Sequence, residues 1–360
     1  MDHYNKALSI NPNFAPALGN KAVALSYLAF NVHGYVHVCL FEAKKMLEIA
    51  LSSQQIHQTM RNGFIKRLNQ IKEIINNHEN GFFPEKIDNE EARSSFHRFL
   101  RDFSNKYNLF LSPTIGIKTK SNQIYKDVLF PSALSGNIIT KRVEKCISYI
   151  NQIKQDYAFS RYLLAQSQYP SNTIEVIDKD VDLYNPFDYS VFSSYIEMMK
   201  VSFRISFGIL DKIASFTHFY FGLSKPKLSQ TYFINVWHQP KKRDQLQEIL
   251  REQQNLFLLG LFDLSKDIYG RNVSGFGFHK KRRNALTHRF LSIYEFFNSS
   301  SDYDSDCVSR DDFFKECIKA LQISRSAIFY MVQMVEREEK IKGESARYYA
   351  RPLEKYHSFY

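Results

Sequence analysis

A chain of 360 residues in which 44% are hydrophobic and 24% charged has the composition of a globular protein with room for two or three structural units, not of a disordered segment. Lys and Arg outnumber Asp and Glu by 48 to 37, and the formal charge of +11 favours a polyanionic partner, although a solvated basic surface has the same composition. Cys39, Cys146, Cys307 and Cys317 are scattered with no CxxC pair, which points to neither a zinc site nor a disulfide framework.

The cysteine pattern fits a reducing cytoplasm, and because the first residues lack the apolar core of a secretory signal and no run of about 18 uncharged apolar residues occurs, no membrane span or membrane partner is expected. The chain opens with helical spacing broken at Asn11-Pro12, with Tyr4, Ala7 and Leu8 before the break and Ala15, Ala17, Leu18, Ala22 and Leu25 after it. Through about residue 55 this pattern is similar to a partial tetratricopeptide repeat: Ala7, Leu8 and Pro12 stand where one helix ends, and Ala15, Ala17 and Asn20 where the next begins. A generic helical hairpin has the same spacing. Such a repeat region would offer a surface to a protein partner or an antitoxin.

Residues 56–188 read as a helical connecting region with ordered loops. Met60, Phe64, Leu68, Ile71 and Ile75 carry one helix, and Phe96, Phe99, Leu100 and Phe103 a second. Residues 109–119 contain Pro and Gly and read as an ordered loop. Val143, Ile147, Ile150, Ile153 and Tyr157 line a third helix over 140–166, and residues 167–188 read as a linker or extended arm.

Four helical segments are then expected within residues 189–342: 191–223, apolar nearly all round, then 240–268, 280–297 and 310–340. Ser309 with Asp312 marks a cap for the last. The expected fold is all-α, a four-helix bundle following helical hairpins, with a C-terminal tail over 343–360.

The third segment contains His279-Lys280-Lys281-Arg282-Arg283-Asn284-Ala285-Leu286-Thr287-His288-Arg289. Leu286, Phe290, Ile293 and Phe297 recur at helical spacing and define an expected core stripe; at about 100° per residue His288 falls opposite it, with Asn284 one turn earlier on the same outward face. An exposed histidine beside four basic side chains is also an ordinary surface feature.

Arg283, Asn284 and His288, near the start of a late bundle helix, resemble the Rx4–6H signature of HEPN domains, and the flanking segments resemble the LA2681-like subfamily. These are residues 206–221 with Leu210-Asp211-Lys212-Ile213, residues 260–267, and Ser324-Arg325-Ser326-Ala327-Ile328; upstream, Leu109 to Pro113 and Ser160 to Leu164 are similar to the segment preceding the bundle. Ser112 stands where the family-like loop has Asn.

The resemblance implies an RNA endonuclease that needs no metal or other cofactor, and a homodimer building a composite site through the bundle. Arg283, Asn284 and His288 would be its catalytic residues, and Lys280, Lys281, Arg282 and Arg289 its RNA contacts. It further implies a toxin-like effector of bacterial defence or stress response. A non-catalytic member serving as an RNA- or protein-binding module is the alternative reading, as is a scaffold that recruits a protein through its repeat-like helices.

Overall fold

A computed structural model describes residues 4, 7–8, 10–29, 36–54, 56–77, 92–112, 126–131, 134, 141–184, 187–224, 226–239, 242–252, 255–269, 282, 285–286, 290–295 and 307–345. The chain divides into two compact units, one made of residues 1–91 with 110–132 and the other of 92–109 with 133–360.

The first unit is built on α1 (Ala15–Ala29), α2 (Val36–Ser52) and α3 (Gln58–Asn77). Ala15, Leu18, Ala22, Leu25 and Ala29 of α1 recur every three or four residues, so they share one face. They meet Leu40, Ala43, Leu47 and Ala50 of α2 and Phe64, Leu68 and Ile71 of α3 in one buried cluster. The turn before α1 is closed by the Asn13 amide donating to Asn11 Oδ1 at 3.1 Å. Arg61 donates to the carbonyls of Leu51 at 2.9 Å and Ser53 at 2.5 Å, occupying acceptors left over where α2 ends.

Gly19 on α1 has no room for a side chain, because a Cβ there would lie 2.1 Å from the Phe64 ring. Gly63 on α3 has nothing within 4 Å of the same position. The two glycines thus separate propensity from packing. Alanine at Gly63 gains helix propensity, about 0.5–1 kcal/mol, whereas at Gly19 that gain is outweighed by overpacking of about 1–3 kcal/mol against a buried ring. Urea unfolding followed by circular dichroism should therefore show Gly63→Ala raising the midpoint and Gly19→Ala lowering it.

The second unit contains α4 (Ser95–Lys106), α5 (Lys141–Gln166), α6 (Asn172–Lys179), α7 (Ser194–Phe221), α8 (Glu248–Glu252), α9 (Leu256–Tyr269) and α10 (Arg310–Ser345). Two small ladders accompany them: β1 (His238–Gln239) with β2 (Lys242–Leu246), antiparallel, and β3 (Ser292–Tyr294) with β4 (Cys307–Ser309), parallel. The fold is nonetheless all-α in its core. Helix α7 lies in the middle, as its apolar girth predicts: Phe203, Phe207, Ile209, Leu210, Ile213, Ala214 and Phe216 are all buried. Helices α5 and α10 pack on it, and α9 packs on α10. Ser193 caps the start of α7 by accepting from the Ile196 amide at 3.3 Å, and Gly222, in the left-handed region at φ 63°, ends it.

The crossing of α5, α7 and α10 is lined by serines. Ser160 and Ser202 donate to each other's carbonyls at 2.8 and 2.9 Å, Ser206 donates to the Ser202 carbonyl at 2.9 Å, and Ser324 donates to the Ser206 carbonyl at 2.7 Å. All four are buried, and small side chains at a crossing let helix axes come close.

Several sequence expectations need correction here. Residues 280–297 do not form one helix: Arg282, Ala285 and Leu286 are helical, but Phe290 is not, and 292–294 is strand β3. Phe290 is 90% exposed and Ile293 1% exposed, so the stripe of Leu286, Phe290, Ile293 and Phe297 does not form, and the orientation inferred from it for His288 has no support. Phe297 lies outside the described residues. The segment 240–268 is broken into β2, α8 and α9, with Asn255 opening α9: its Oδ1 accepts from the amides of Phe257 at 3.1 Å and Leu258 at 3.3 Å. Residues 167–188 hold helix α6, whose Asp178 accepts from the Ser194 amide at 2.8 Å and hydroxyl at 2.6 Å. The expected cap of the last helix is present, with the Asp312 amide donating to Ser309 Oγ at 3.1 Å.

Candidate functional site

Arg283, Asn284, His288, Lys280, Lys281 and Arg289 lie outside the described residues. What surrounds them in sequence is described: Arg282, Ala285 and Leu286 before, and Phe290 to Glu295 after.

Arg282 corrects one sequence expectation. It is 2% exposed, so it is not a surface contact for RNA. Its guanidinium donates from Nε to Glu316 Oε2 at 3.1 Å and from Nη2 to Oε1 at 3.4 Å, a fork on a carboxylate of α10, with Nη1 3.5 Å from the Cys307 carbonyl of β4. Ala285, one helical turn on, is also buried at 1%. The beginning of the motif segment is thus pinned to α10 and β4.

Beyond the motif, β3 is held on both edges. Ile293 pairs with Val308 of β4, and on the other side the Val191 amide donates to the Ile293 carbonyl at 2.7 Å and the Glu295 amide to the Tyr189 carbonyl at 3.2 Å. Leu291 and Ile293 point inward at 7% and 1% exposure, whereas Ser292 and Tyr294 are half-buried. This two-residue alternation was the signal for a strand, and it sits inside a segment whose wider spacing also fits a helix.

Between the start of α7 and this strand lies an open pocket of about 440 Å³. Leu286 and Phe290 form one wall, Val191 and Phe192 another, and Glu197, Lys200 and Arg204 of α7 a third. Glu197, Lys200 and Arg204 stand at i, i+3 and i+7, one face of the helix. Lys200 donates to Glu197 at 2.8 Å, and Arg204 is exposed. Sequence inspection missed Lys200 and Arg204, because nothing in the local run around them separates a pocket wall from a solvated face.

The remaining segments that resembled the HEPN family serve as scaffolding. Asp211 Oδ1 accepts from the Phe233 amide at 2.9 Å, and Ser265 donates to the Phe233 carbonyl at 2.9 Å, so α7 and α9 grip one residue of the connecting loop. The buried Trp237 adds an Nε1 donation to that carbonyl at 2.5 Å. Tyr157 and Arg161 of α5 both donate to the Leu109 carbonyl, at 2.7 and 3.1 Å. Lys212 forms an ion pair with Asp156. Gly260 of α9 lets that helix approach Tyr330, whose ring would lie 3.2 Å from a Cβ.

Thiol chemistry finds no footing in the buried cysteines. Burial pushes Cys39 up to about 12 and Cys146 up to about 11, and it raises Cys317 as well, so these thiols stay protonated near neutral pH. Among the described residues no group of His, Cys, Asp and Glu side chains has metal-ligand placement, and no helix is long and apolar enough to cross a membrane.

A serine-seamed helical bundle with a basic motif segment tied to its last helix is the class that these features define. A family model described as LA2681-like HEPN matches residues 139–338, which is more than half of the chain and includes the segment from Arg283 to His288. The chain therefore belongs to the LA2681-like HEPN family. No curated protein and no solved structure matches it.

The Arg282–Glu316 pair is open to a direct stability test. Burial holds the Glu316 carboxyl above its usual value of 4.5, while Arg282 beside it works in the opposite direction. Removing one member of a buried pair leaves the other uncompensated, at a cost of about 3–5 kcal/mol. Arg282→Met should cost that much near neutral pH. The cost should shrink toward acidic pH, because the stranded carboxyl takes up a proton in the folded protein before it does in the unfolded chain, and its contribution to stability falls as pH rises through the folded value. Chemical denaturation of the wild-type protein, Arg282→Met and the double variant Arg282→Met with Glu316→Leu checks this, with the double variant recovering most of the loss.

Proposed function

We propose that the chain is a metal-independent endoribonuclease whose catalytic set is Arg283, Asn284 and His288. The observation that carries this reading is the family match, which spans all three residues in a chain that retains each side chain the chemistry needs. The anchoring of Arg282 on Glu316 supports it, since a catalytic segment works only when its supporting residues are held.

RNA brings its own nucleophile. The 2'-oxygen attacks the adjacent phosphorus and loses its proton, the bond from phosphorus to the 5'-oxygen breaks, and the leaving oxygen takes up a proton. The products are a 2',3'-cyclic phosphate and a 5'-hydroxyl. An imidazole with an ordinary value of about 6.5 can move these protons near neutral pH. A guanidinium can donate two fixed hydrogen bonds to the phosphate as its charge builds, and Asn284 would orient the ring or the scissile phosphate. No step calls for a metal.

Lys280, Lys281 and Arg289 would draw in the RNA backbone, and a homodimer through the bundle would bring two motifs to one strand. Helices α1 and α2, within residues 1–55, would act as a tetratricopeptide-like scaffold for a protein partner or antitoxin. In this reading the protein is a toxin-like effector of bacterial defence or stress response acting in the cytoplasm.

Mixed RNA incubated with the protein in excess EDTA, followed by chemical mapping of fragment ends, tests the proposal. Cleavage to cyclic-phosphate and 5'-hydroxyl ends is expected. Loss of a proton-transfer group or of a charge-stabilising donor should each lower the rate about 100-fold or more, in His288→Ala and Arg283→Ala respectively. A requirement for added Mg²⁺, or equal cutting by wild type and both variants, would overturn it.

A further inference from the structure

The pocket beside the motif has a composition that the catalytic residues do not explain. Phe290 is 90% exposed and Phe192 58% exposed, and both line the same opening, so two phenyl rings stand available to a ligand there. The third wall carries charge. Lys200 is engaged by Glu197 at 2.8 Å, and Arg204, one turn farther along α7, reaches the same space from an exposed position. Formal charges of +1, +1 and −1 for Lys200, Arg204 and Glu197 leave the wall at +1. The volume, about 440 Å³, lies within the range of small-ligand sites, which begins at about 300 Å³.

A ligand suited to this opening has an aromatic face for the rings and an anionic group for the guanidinium. An unpaired nucleotide has both. A duplex does not, because its bases are stacked on one another and hidden from protein rings. The geometry points to this pocket as the seat for one unpaired nucleotide of an RNA strand, its base against Phe290 and Phe192 and its phosphate on Arg204. This assignment rests on the proposed nuclease reading, since Leu286, which lines the pocket, falls between Asn284 and His288 in the chain. The seat would fix which nucleotide follows or precedes the cut, making these side chains specificity determinants outside the Rx4–6H motif.

Binding and cutting are separated by using two substrates. A fluorescent 2'-O-methyl oligoribonucleotide has no free 2'-hydroxyl, so its binding is read by anisotropy in EDTA without cleavage; the unmodified oligonucleotide reports cutting. Phe290→Ala should weaken binding about 5- to 150-fold, the range for loss of one base–aromatic contact, and Phe290→Trp should retain it. Arg204→Ala should weaken binding and reduce the slope of log affinity against log salt by about 0.7, the loss of one single-strand phosphate contact. A duplex of the same sequence should compete poorly. Both positions are exposed, and unchanged thermal unfolding confirms that the variants fold.

Wild-type affinity in Phe290→Ala and Arg204→Ala overturns the pocket assignment, as does equal competition by duplex. So does an effect of Phe290→Ala on sedimentation alone, which would make the aromatic surface a contact between copies of the chain. Binding that depends on these residues without any cutting would sink the nuclease reading and leave the pocket standing; cutting that ignores them does the reverse. No binding by the wild-type protein overturns both.

Discussion

Three long helices of this protein cross on a seam of buried serines. Ser160, Ser202, Ser206 and Ser324 occupy that crossing, and their hydroxyls donate to main-chain carbonyls of the neighbouring helix or of their own. Each buried polar atom is thereby satisfied, which matters because an unpaired buried hydroxyl costs about 1–3 kcal/mol. The seam also settles which way α7 faces. Positions two apart on a helix differ by about 200°, so with Ser202 and Ser206 turned into the crossing, Lys200 and Arg204 must face away from it. The inner seam and the wall of the outer pocket are therefore two sides of the same helical turns.

A second constraint acts on the segment that contains the motif. Among its described residues, the fork of Arg282 on Glu316 holds one end and strand β3 the other. Burying an ion pair rarely adds net stability, because desolvation offsets the attraction. Its value here is geometric: a guanidinium fork admits one orientation, which a leucine in the same place would not impose. Several residues by which the chain resembles its family also hold elements together. Asp211, Ser265 and Gly260 position a loop and a helix contact, and Tyr157 and Arg161 secure one carbonyl.

Much of the architecture was legible in the sequence because it depends on local spacing. Helix α5 occupies 141–166 against an expected 140–166, α7 is central because it is apolar on all sides, and Ser309 caps α10. Strand β3 was hidden by coincidence: Leu286, Phe290 and Ile293 fit a helix, while Leu291 and Ile293 fit a strand, and the choice is made by hydrogen bonds from Val191 and by β4, both distant in sequence. Arg282 was misjudged for a related reason. In a run of four basic residues it reads as solvated charge, and its carboxylate partner lies 34 positions away. Asn255 caps α9 from the position before it, a signal that the longer apolar run around it masks in the sequence. For the candidate site, the motif was visible as a pattern, whereas the pocket lined by Lys200 and Arg204 together with Leu291 to Ile293 exists only in the folded chain.

The positive charge of this site is consequently divided by function and not by position in the chain. Arg282 sits in the basic run yet faces a carboxylate in the interior, where solvent and any ligand are excluded. Arg204 sits about eighty residues earlier, in a helix with no basic run, yet opens onto the pocket lined by Leu286 and Phe290. Lys200 lies between these extremes, since its contact with Glu197 cancels a carboxylate that would otherwise repel a phosphate from the same wall. Counting lysines and arginines near the motif therefore misstates the field a ligand meets. What sets that field is the fold, which turns one guanidinium inward to hold the segment and leaves another outward, where its planar fork can meet an anion.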